Sequence, residues 1–333
     1  MTPTSDYVVS LSTRASRVGL LVALAGCVIL FTMPFWAASS TMRLMIEMLC
    51  FLVLAQMWNL LAGYGGMISI GQQAFVGIGA YGLFMCANHL GVNPFAAVLL
   101  GGLVAAALSL PVAALTFRLK GGYFAVGTWV VAEVCRLAVS NVQLLGGGSG
   151  QSLTAMRGIP KMFRESTTFW LTAAIAVGML ALTYWVLRSR FGMALTAIRD
   201  SEAASKSQGI HVQKIKLYVF VLAAFGSGLV GALYYLNALR ISPASAFDLN
   251  WVVIAIFIVV IGGIGTLEGP IIGTLVYFGL RELLADYGSW YLMALGLCAV
   301  IIMIKWPKGI WGAIQQRYDL RFFPVQRRVR LLK

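Results

Sequence analysis

Between Gly63 and Gly82 the chain reads GYGGMISIGQQAFVGIGAYG, seven glycines in twenty residues set among strongly apolar sequence. Each glycine inside a helix costs about 1 kcal/mol against alanine, so the stretch resists forming one continuous helix. Gln72 and Gln73 add uncharged polar groups that hydrocarbon does not solvate. A membrane tolerates non-helical backbone only where protein buries it or where it lines a water-filled cavity. The stretch therefore predicts a break at GYGGMISIG, then a helix from QQAFVGIGAYG with Gly77 and its neighbours against a partner.

The surroundings are those of a membrane protein. Of 333 residues, 60% are hydrophobic and 11% charged, where a soluble domain carries about a quarter charged residues. Mean hydropathy is +0.86. Apolar runs near the ~20 residues that cross hydrocarbon recur along the chain. The first, Val18–Ala38, follows Arg14 and Arg17; it resembles a signal peptide but is longer than such a segment's apolar region. The others are Leu44–Ala62, Gln72–Leu90, Pro94–Phe117, Tyr123–Asn141, Phe169–Leu187, Ile215–Leu236, Asn250–Gly263, Pro270–Ala285 and Trp290–Trp306. The expectation is an all-α, polytopic membrane bundle of about ten segments, spanning 18–306. Residues 1–17 and 307–333 are its tails, both cytoplasmic. Asn250–Gly263 and Pro270–Ala285 are short, which points to a broken or re-entrant segment.

Charge sets the orientation. The net charge is +14, from 25 Lys and Arg against 11 Asp and Glu. With the N-terminus inside, 18 of the 25 basic residues fall on the cytoplasmic face: two in the head, Arg118 and Lys120, six from Arg188 to Lys216, and eight from Lys305 onward. No basic helix interleaved with aromatics appears, so nucleic acid is not an expected partner. The five cysteines all sit in apolar runs without a CxxC spacing, and His89 and His211 are the only histidines. Neither a metal site nor a disulfide framework is expected. There is no GxxxxGK[ST], HExxH or GxSxG, so no catalytic residues are assigned and the chain is not read as an enzyme.

Two loops and several polar residues need an account. Residues 142–168 are external, Gly-rich and irregular, whereas 188–214 are internal, basic and helix-prone from Gly192 to Gln208. The latter segment places Ala194, Ile198 and Ala204 broadly on one side, as a helix lying at the membrane surface would. A second glycine-rich break, GGIGTLEGPIIG, runs from Gly262 to Gly273. Paired breaks point to a pathway near the midplane. Asn59, Ser69, Gln72 and Gln73 are the candidates for lining it, with helix packing by small residues alone as the competing reading. Gln56 and Asn59 share a helical face suited to interhelical hydrogen bonding. Glu133 and Arg136, three apart, are expected to form a structural ion pair near the external loop. Glu268 falls in an expected solvated turn.

These motifs converge on one family. NLLAGYGGMISIGQQAFVGIGAYG, GGYFAVGTWVVAEVCRLAVSN, FGMALTAIRDSEAASKSQGIHVQKIKLYVFVLAAFGSGLVGALY, VIGGIGTLEGPIIG and MIKWPKGIWG occur in order from about Leu44 to Gly312. They resemble the M-type permease subunits of bacterial branched-chain amino-acid ABC transporters. The resemblance implies a bacterial inner-membrane importer completed by a second homologous permease, two cytoplasmic ATPases and an external solute-binding protein. ATP and Mg would be held by the ATPases, with no cofactor in this chain. It makes 192–209 a coupling helix that docks on an ATPase through Arg199, Asp200, Glu202, Ala203, Ala204 and Gly209. External loop 142–168 would meet the binding protein. Relatives often carry His where Gln72 stands, and Gln does not titrate, so a proton-sensing role is not implied here. Urea or short amides are the alternative solutes, and an ion-coupled secondary transporter is the alternative class.

Overall fold

The computed structural model describes residues 7–10, 14–284, 290–306, 308–318, 322–323 and 328–331. Parts of the two expected tails, and Ala285 at the end of one expected span, lie outside the described residues. Helices take up the apolar runs because only an intrasegment ladder satisfies backbone groups in hydrocarbon. Strand β1 (Tyr7–Ser10) precedes α1 (Arg14–Thr32), which ends at a 3-10 turn over Met33–Phe35. Helix α2 (Ser39–Asn59) continues into a widened π turn, Leu60–Tyr64, and the chain stays irregular until α3 (Gln72–Asn88). Next come α4 (Pro94–Thr116), capped by Asn93, and α5 (Gly122–Ser140).

The Gly-rich loop after α5 contributes β2 (Gln151–Ser152) before α6 (Lys161–Arg188). The basic loop folds as α7 (Arg190–Asp200) and α8 (Glu202–Ser207), and α9 (Val212–Ala238) returns through the bundle. Beyond it lie β3 (Arg240–Ile241), the short α10 (Pro243–Ala246), α11 (Asn250–Gly262) and α12 (Gly269–Leu284). The described chain closes with α13 (Trp290–Lys305), α14 (Gly309–Tyr318) and β4 (Arg328–Leu331), which pairs antiparallel with β1 and so joins the two ends of the chain.

Among the described residues, seven helical stretches are long and apolar enough to cross a membrane. The expectation of about ten is not confirmed: three of the expected spans fold, within the described residues, as α3, α12 and α13, of 17, 16 and 16 residues. At ~1.5 Å per residue these are about 24–26 Å long, short of a ~30 Å hydrocarbon core. For α3 the cause is the glycine break. Its start lies beside Thr128, whose hydroxyl accepts from the Ile70 amide at 3.1 Å, six residues, or about 9 Å, into α5.

Glycine fixes how the centre packs. Helices α3, α4 and α9 approach until backbone meets backbone. A Cβ built at Gly79 would lie 2.2 Å from the Gly228 carbonyl oxygen, one at Gly101 2.3 Å from that of Gly79, and one at Gly231 1.9 Å from that of Val76. Gly77 meets the Phe247 ring, a residue after α10, and not another helix's backbone. Phe247 stacks in turn on Tyr81. Ion pairs tie the periphery: Arg281 grips Glu47 through two nitrogens at 2.8 and 3.2 Å, and the buried Glu165 accepts from Arg43 and Ser39 at the start of α2.

The Gly-rich loop 142–168 is more ordered than its composition suggests. Its β2 pairs with β3, and the Asn88 side chain at the end of α3 donates to the Ser152 carbonyl and accepts from Thr154 and Ala155. Helix α6 begins at Lys161, so the last eight residues of 142–168 are helical.

The packing predicts a contrast between two glycines. Gly231→Ala should cost roughly 2–3 kcal/mol, as overpacking against immovable backbone does, lowering the unfolding temperature of the purified protein. Gly178→Ala, with nothing within 4 Å of its added carbon, should be neutral or stabilising by up to about 1 kcal/mol.

Candidate functional site

A helix that ends inside a membrane protein leaves carbonyls to satisfy. Gly65 and Gly66 donate back to Leu61 and Ala62, and with Gly66 at φ +66° the Met67 amide reaches the Leu61 carbonyl at 2.9 Å. The following extended residues are held by side chains from neighbouring helices. Trp58 donates its indole N–H to the Ser69 carbonyl at 2.8 Å, and the Ser69 hydroxyl accepts from the Gly71 amide. Ser69 therefore holds the break together.

The second break closes on itself in a similar way. Gly263 and Gly265 take φ of +137° and +74°, and the Thr266 hydroxyl donates to the Gly263 carbonyl while accepting from the Gly269 amide. One further residue completes it. The side-chain oxygen of Asn59 accepts from the Gly265 amide at 2.8 Å, and its nitrogen donates to the Thr266 carbonyl at 2.7 Å. Asn59 is fully buried and thus bridges the two breaks, more than two hundred residues apart in the chain. A Cβ on Gly63 would sit 2.6 Å from the Gly265 amide nitrogen, so this contact admits only glycine.

The basic loop seats on this junction. Arg199, at the end of α7, donates Nη1 to the Gly63 carbonyl at 2.9 Å, while Nε and Nη2 hold Asp200 at 3.0 and 2.9 Å. Its stem covers Gly66, and a Cβ built on Gly265 would lie 3.5 Å from Nη1. Leu195 and Ile198 are buried beneath α7. Both glycine breaks therefore gather under the basic loop.

The loop is two helices where one was expected. Ser201 leaves helical geometry at φ −159° and caps α8, its hydroxyl accepting from the Ala204 amide. The interruption resets the helical register, so Ser205 faces the protein while Ala203 and Ala204 are exposed. Gly209 terminates α8 at φ +79°, its amide donating to Lys206 and that of Ile210 to Ser205, the paired bonds of a glycine C-cap.

Glu202 turns inward. It accepts from Lys216 of α9 at 2.7 Å and from Lys206 at 3.1 Å. The Lys216 ammonium, with Lys206 beside it, holds the Glu202 carboxyl below the usual carboxylate range against the opposing effect of burial. A depressed carboxyl stabilises above its unfolded value and loses that contribution as pH falls through its folded one. The tie between α8 and α9 is therefore complete at neutral pH.

The other expected residues divide. Gln72 and Gln73 are buried; both amide atoms of Gln72 and the oxygen of Gln73 have no hydrogen-bond partner among the described residues. Gln56 is likewise buried and unpartnered, so it does not join Asn59 in interhelical bonding. Glu133 and Arg136 do pair, Arg136 Nε reaching both carboxylate oxygens at 2.9 and 3.0 Å. Among the described residues no hydrogen bond joins that pair to the external loop. Glu268 is buried and accepts from the Phe323 amide at 2.8 Å, so it fastens the C-terminal segment where a solvated carboxylate was expected.

Asn59→Leu keeps the branching of the side chain, in a somewhat larger volume, but strands the Gly265 amide and the Thr266 carbonyl. Roughly 3 kcal/mol of destabilisation is expected, read as a lower unfolding temperature. Hydrogen exchange should rise at 262–269 and 63–71 together, because one side chain serves both.

Residues 40–305 match the model of the family described as branched-chain amino acid transport system / permease component. The chain is 27% identical to the high-affinity branched-chain amino acid transport system permease protein LivM of Escherichia coli (strain K12), over 86% of this chain and 74% of that protein. It is 27% identical to LivM of Salmonella typhimurium, over 90% and 77%. A shorter match, 27% over 38% of this chain and 41% of the relative, is to the ribose import permease protein RbsC of Haemophilus influenzae. No solved structure matches the chain. With most of its length matched, this multi-pass membrane protein belongs to the permease-component family of branched-chain amino acid transport systems.

Proposed function

We propose that this chain is one of two permeases in an ABC importer of the bacterial inner membrane, carrying branched-chain amino acids. A second homologous permease, two cytoplasmic ATPases and an external solute-binding protein complete it, and ATP and Mg act only on the ATPases. Both termini and the α7–α8 loop face the cytoplasm, in keeping with the positive charge gathered there. The solute follows the names of the relatives that match most of the chain.

The observation that carries the reading is the seat of the basic loop on both glycine breaks through Arg199 and Asn59. An ATPase gripping the exposed face of α8, with Ala203, Ala204 and Gly209, would move a unit already fastened to two interrupted membrane segments. Glu202 and Asp200 act within this loop: Glu202 holds α8 on α9, and Asp200 orients Arg199. Arg199 then passes displacement to Gly63. Each nucleotide state favours one packing of the bundle because the ATPase binds that packing better.

Gln72 and Gln73 belong to the transport cycle in this account. A buried amide without partners costs free energy in the resting state, and the chain retains it because another packing offers partners, an amino-acid solute or ordered water among them.

Uptake of radiolabelled leucine into proteoliposomes holding the whole complex tests the proposal. Uptake should require ATP and the ATPases, and an ion gradient imposed without ATP should give none. Gradient-driven uptake by this chain without ATPases would overturn the reading. In the same assay Gln72→Leu should lower uptake while raising the unfolding temperature, since it removes an unpaired amide. A packing residue would instead leave uptake unchanged.

A further inference from the structure

Around the basic loop the supply of carboxylates runs out before the cations do. No Asp or Glu occurs from Ser166 to Arg199, nor from Ala203 to Phe247. The two acids between those stretches are already engaged, Asp200 by Arg199 and Glu202 by Lys206 and Lys216. Arg188, Arg190 and Lys214 are exposed and form no ion pair among the described residues.

The same corner of the molecule exposes large apolar side chains. Trp185 near the end of α6, Phe191 and Met193 at the start of α7, and Tyr218 in α9 are each more than half exposed. Trp185 and Arg188 stand three apart on α6, and Lys214 and Tyr218 four apart on α9, so each cation shares a helical face with an aromatic ring. The rings of Phe191 and Tyr218 meet edge to face with centroids 6.0 Å apart, which brings the start of α7 against α9. Arg188 lies over the Tyr184 ring and donates Nη1 to its hydroxyl at 3.0 Å. Its other nitrogens make no hydrogen bond among the described residues.

Depth decides what covers this corner. Helices α6 and α9 are both long and apolar enough to cross a membrane. Trp185 lies three residues before the end of α6 and Tyr218 six residues after the start of α9, about 4.5 and 9 Å inside them. Phe191 touches Tyr218, so α7 begins at the level where the spanning helices leave hydrocarbon and not out in water. Aromatic rings with a polar edge settle at that level, and long basic side chains reach from it toward headgroups. Below Tyr218 the same face of α9 continues with Val221, Leu222 and Phe225, uncharged and partly exposed. A surface that runs from cations down the sides of two spanning helices is open to lipid, and cations without acids select a lipid that carries negative charge.

We infer that the corner between the end of α6, the start of α7 and the start of α9 binds the headgroup of an anionic phospholipid. Arg188, Arg190 and Lys214 supply its cations, while Trp185, Phe191 and Tyr218 pack on the glycerol and upper acyl region. The inference goes beyond the importer reading and does not depend on it. A headgroup held there neutralises charge that the chain itself leaves unpaired, and it braces the start of the basic loop against the membrane.

Native mass spectrometry of the purified full chain tests this, with dioleoylphosphatidylglycerol or dioleoylphosphatidylcholine added to the detergent. The two lipids share their acyl chains and differ in headgroup charge. The unmodified chain should retain the anionic lipid roughly tenfold more strongly, and an Arg188→Gln/Arg190→Gln/Lys214→Gln variant should lose most of that preference. An Arg157→Gln/Lys161→Gln/Arg240→Gln variant removes the same charge from exposed residues at the opposite ends of α6 and α9, and should keep it. No preference in the unmodified chain, or an equal loss in both variants, would overturn the site. A photo-crosslinking amino acid at Phe191, in the assembled transporter in membranes, supplies a readout that needs no charge variant. It should give a lipid adduct; an adduct with an ATPase or another protein chain, without lipid, would overturn the assignment. Should the first variant fail to fold, the Phe191 adduct decides alone.

Discussion

Two hydrogen bonds from one buried amide hold the rest of the site in place. Backbone that leaves helical geometry inside a membrane protein cannot turn to water, so every freed amide and carbonyl needs a partner from the chain itself. Asn59 supplies one donor and one acceptor to the Thr266 carbonyl and the Gly265 amide, from the last residue of α2, where the chain runs into a break of its own. The two interruptions are thereby a single object. Gly63 and Gly265 make the approach possible, and Arg199 joins that object to the basic loop through the Gly63 carbonyl.

This arrangement explains why the ends of the loop are built so firmly. Serine caps at Ser189 and Ser201, the glycine cap at Gly209 and the Glu202–Lys216 tie leave α7 and α8 little freedom relative to α9. A soft loop would absorb displacement, whereas a braced one delivers it to the junction. The exposed faces of Ala203 and Ala204 leave room for a close-fitting neighbour, while the charges of Arg199, Asp200 and Glu202 are spent within the chain.

What was legible in the sequence is what depends on neighbours in the chain. Glycine density located both breaks, hydropathy located the helices, a spacing of three located the Glu133–Arg136 pair, and Gly209 marked the end of α8. The readings that failed depend on partners far away. Nothing near Glu268 announces that Phe323 will bury it. The helix-prone run 192–208 gave no reason to stop at Ser201, because serine is tolerated within a helix and becomes a cap only when the backbone turns. The expected ten spans rest on apolar residues alone; α3 starts at Gln72 as expected and stops at Asn88, two residues early. The gathering of both breaks under the basic loop required Asn59's partners, which the order of residues does not reveal.

The central claim is that the two breaks and the basic loop move as one body. Spin labels at Ile68 in the first break, Ile264 in the second and Ser207 on α8, all on exposed side chains, allow pairwise distances to be measured by pulsed electron paramagnetic resonance. A fourth label at Gly148 marks the external loop. The account predicts that ATP binding to the assembled transporter leaves the three distances among Ile68, Ile264 and Ser207 unchanged while their distances to Gly148 shift together. A change in the Ile68–Ile264 distance on ATP binding would show the breaks moving independently and would contradict it.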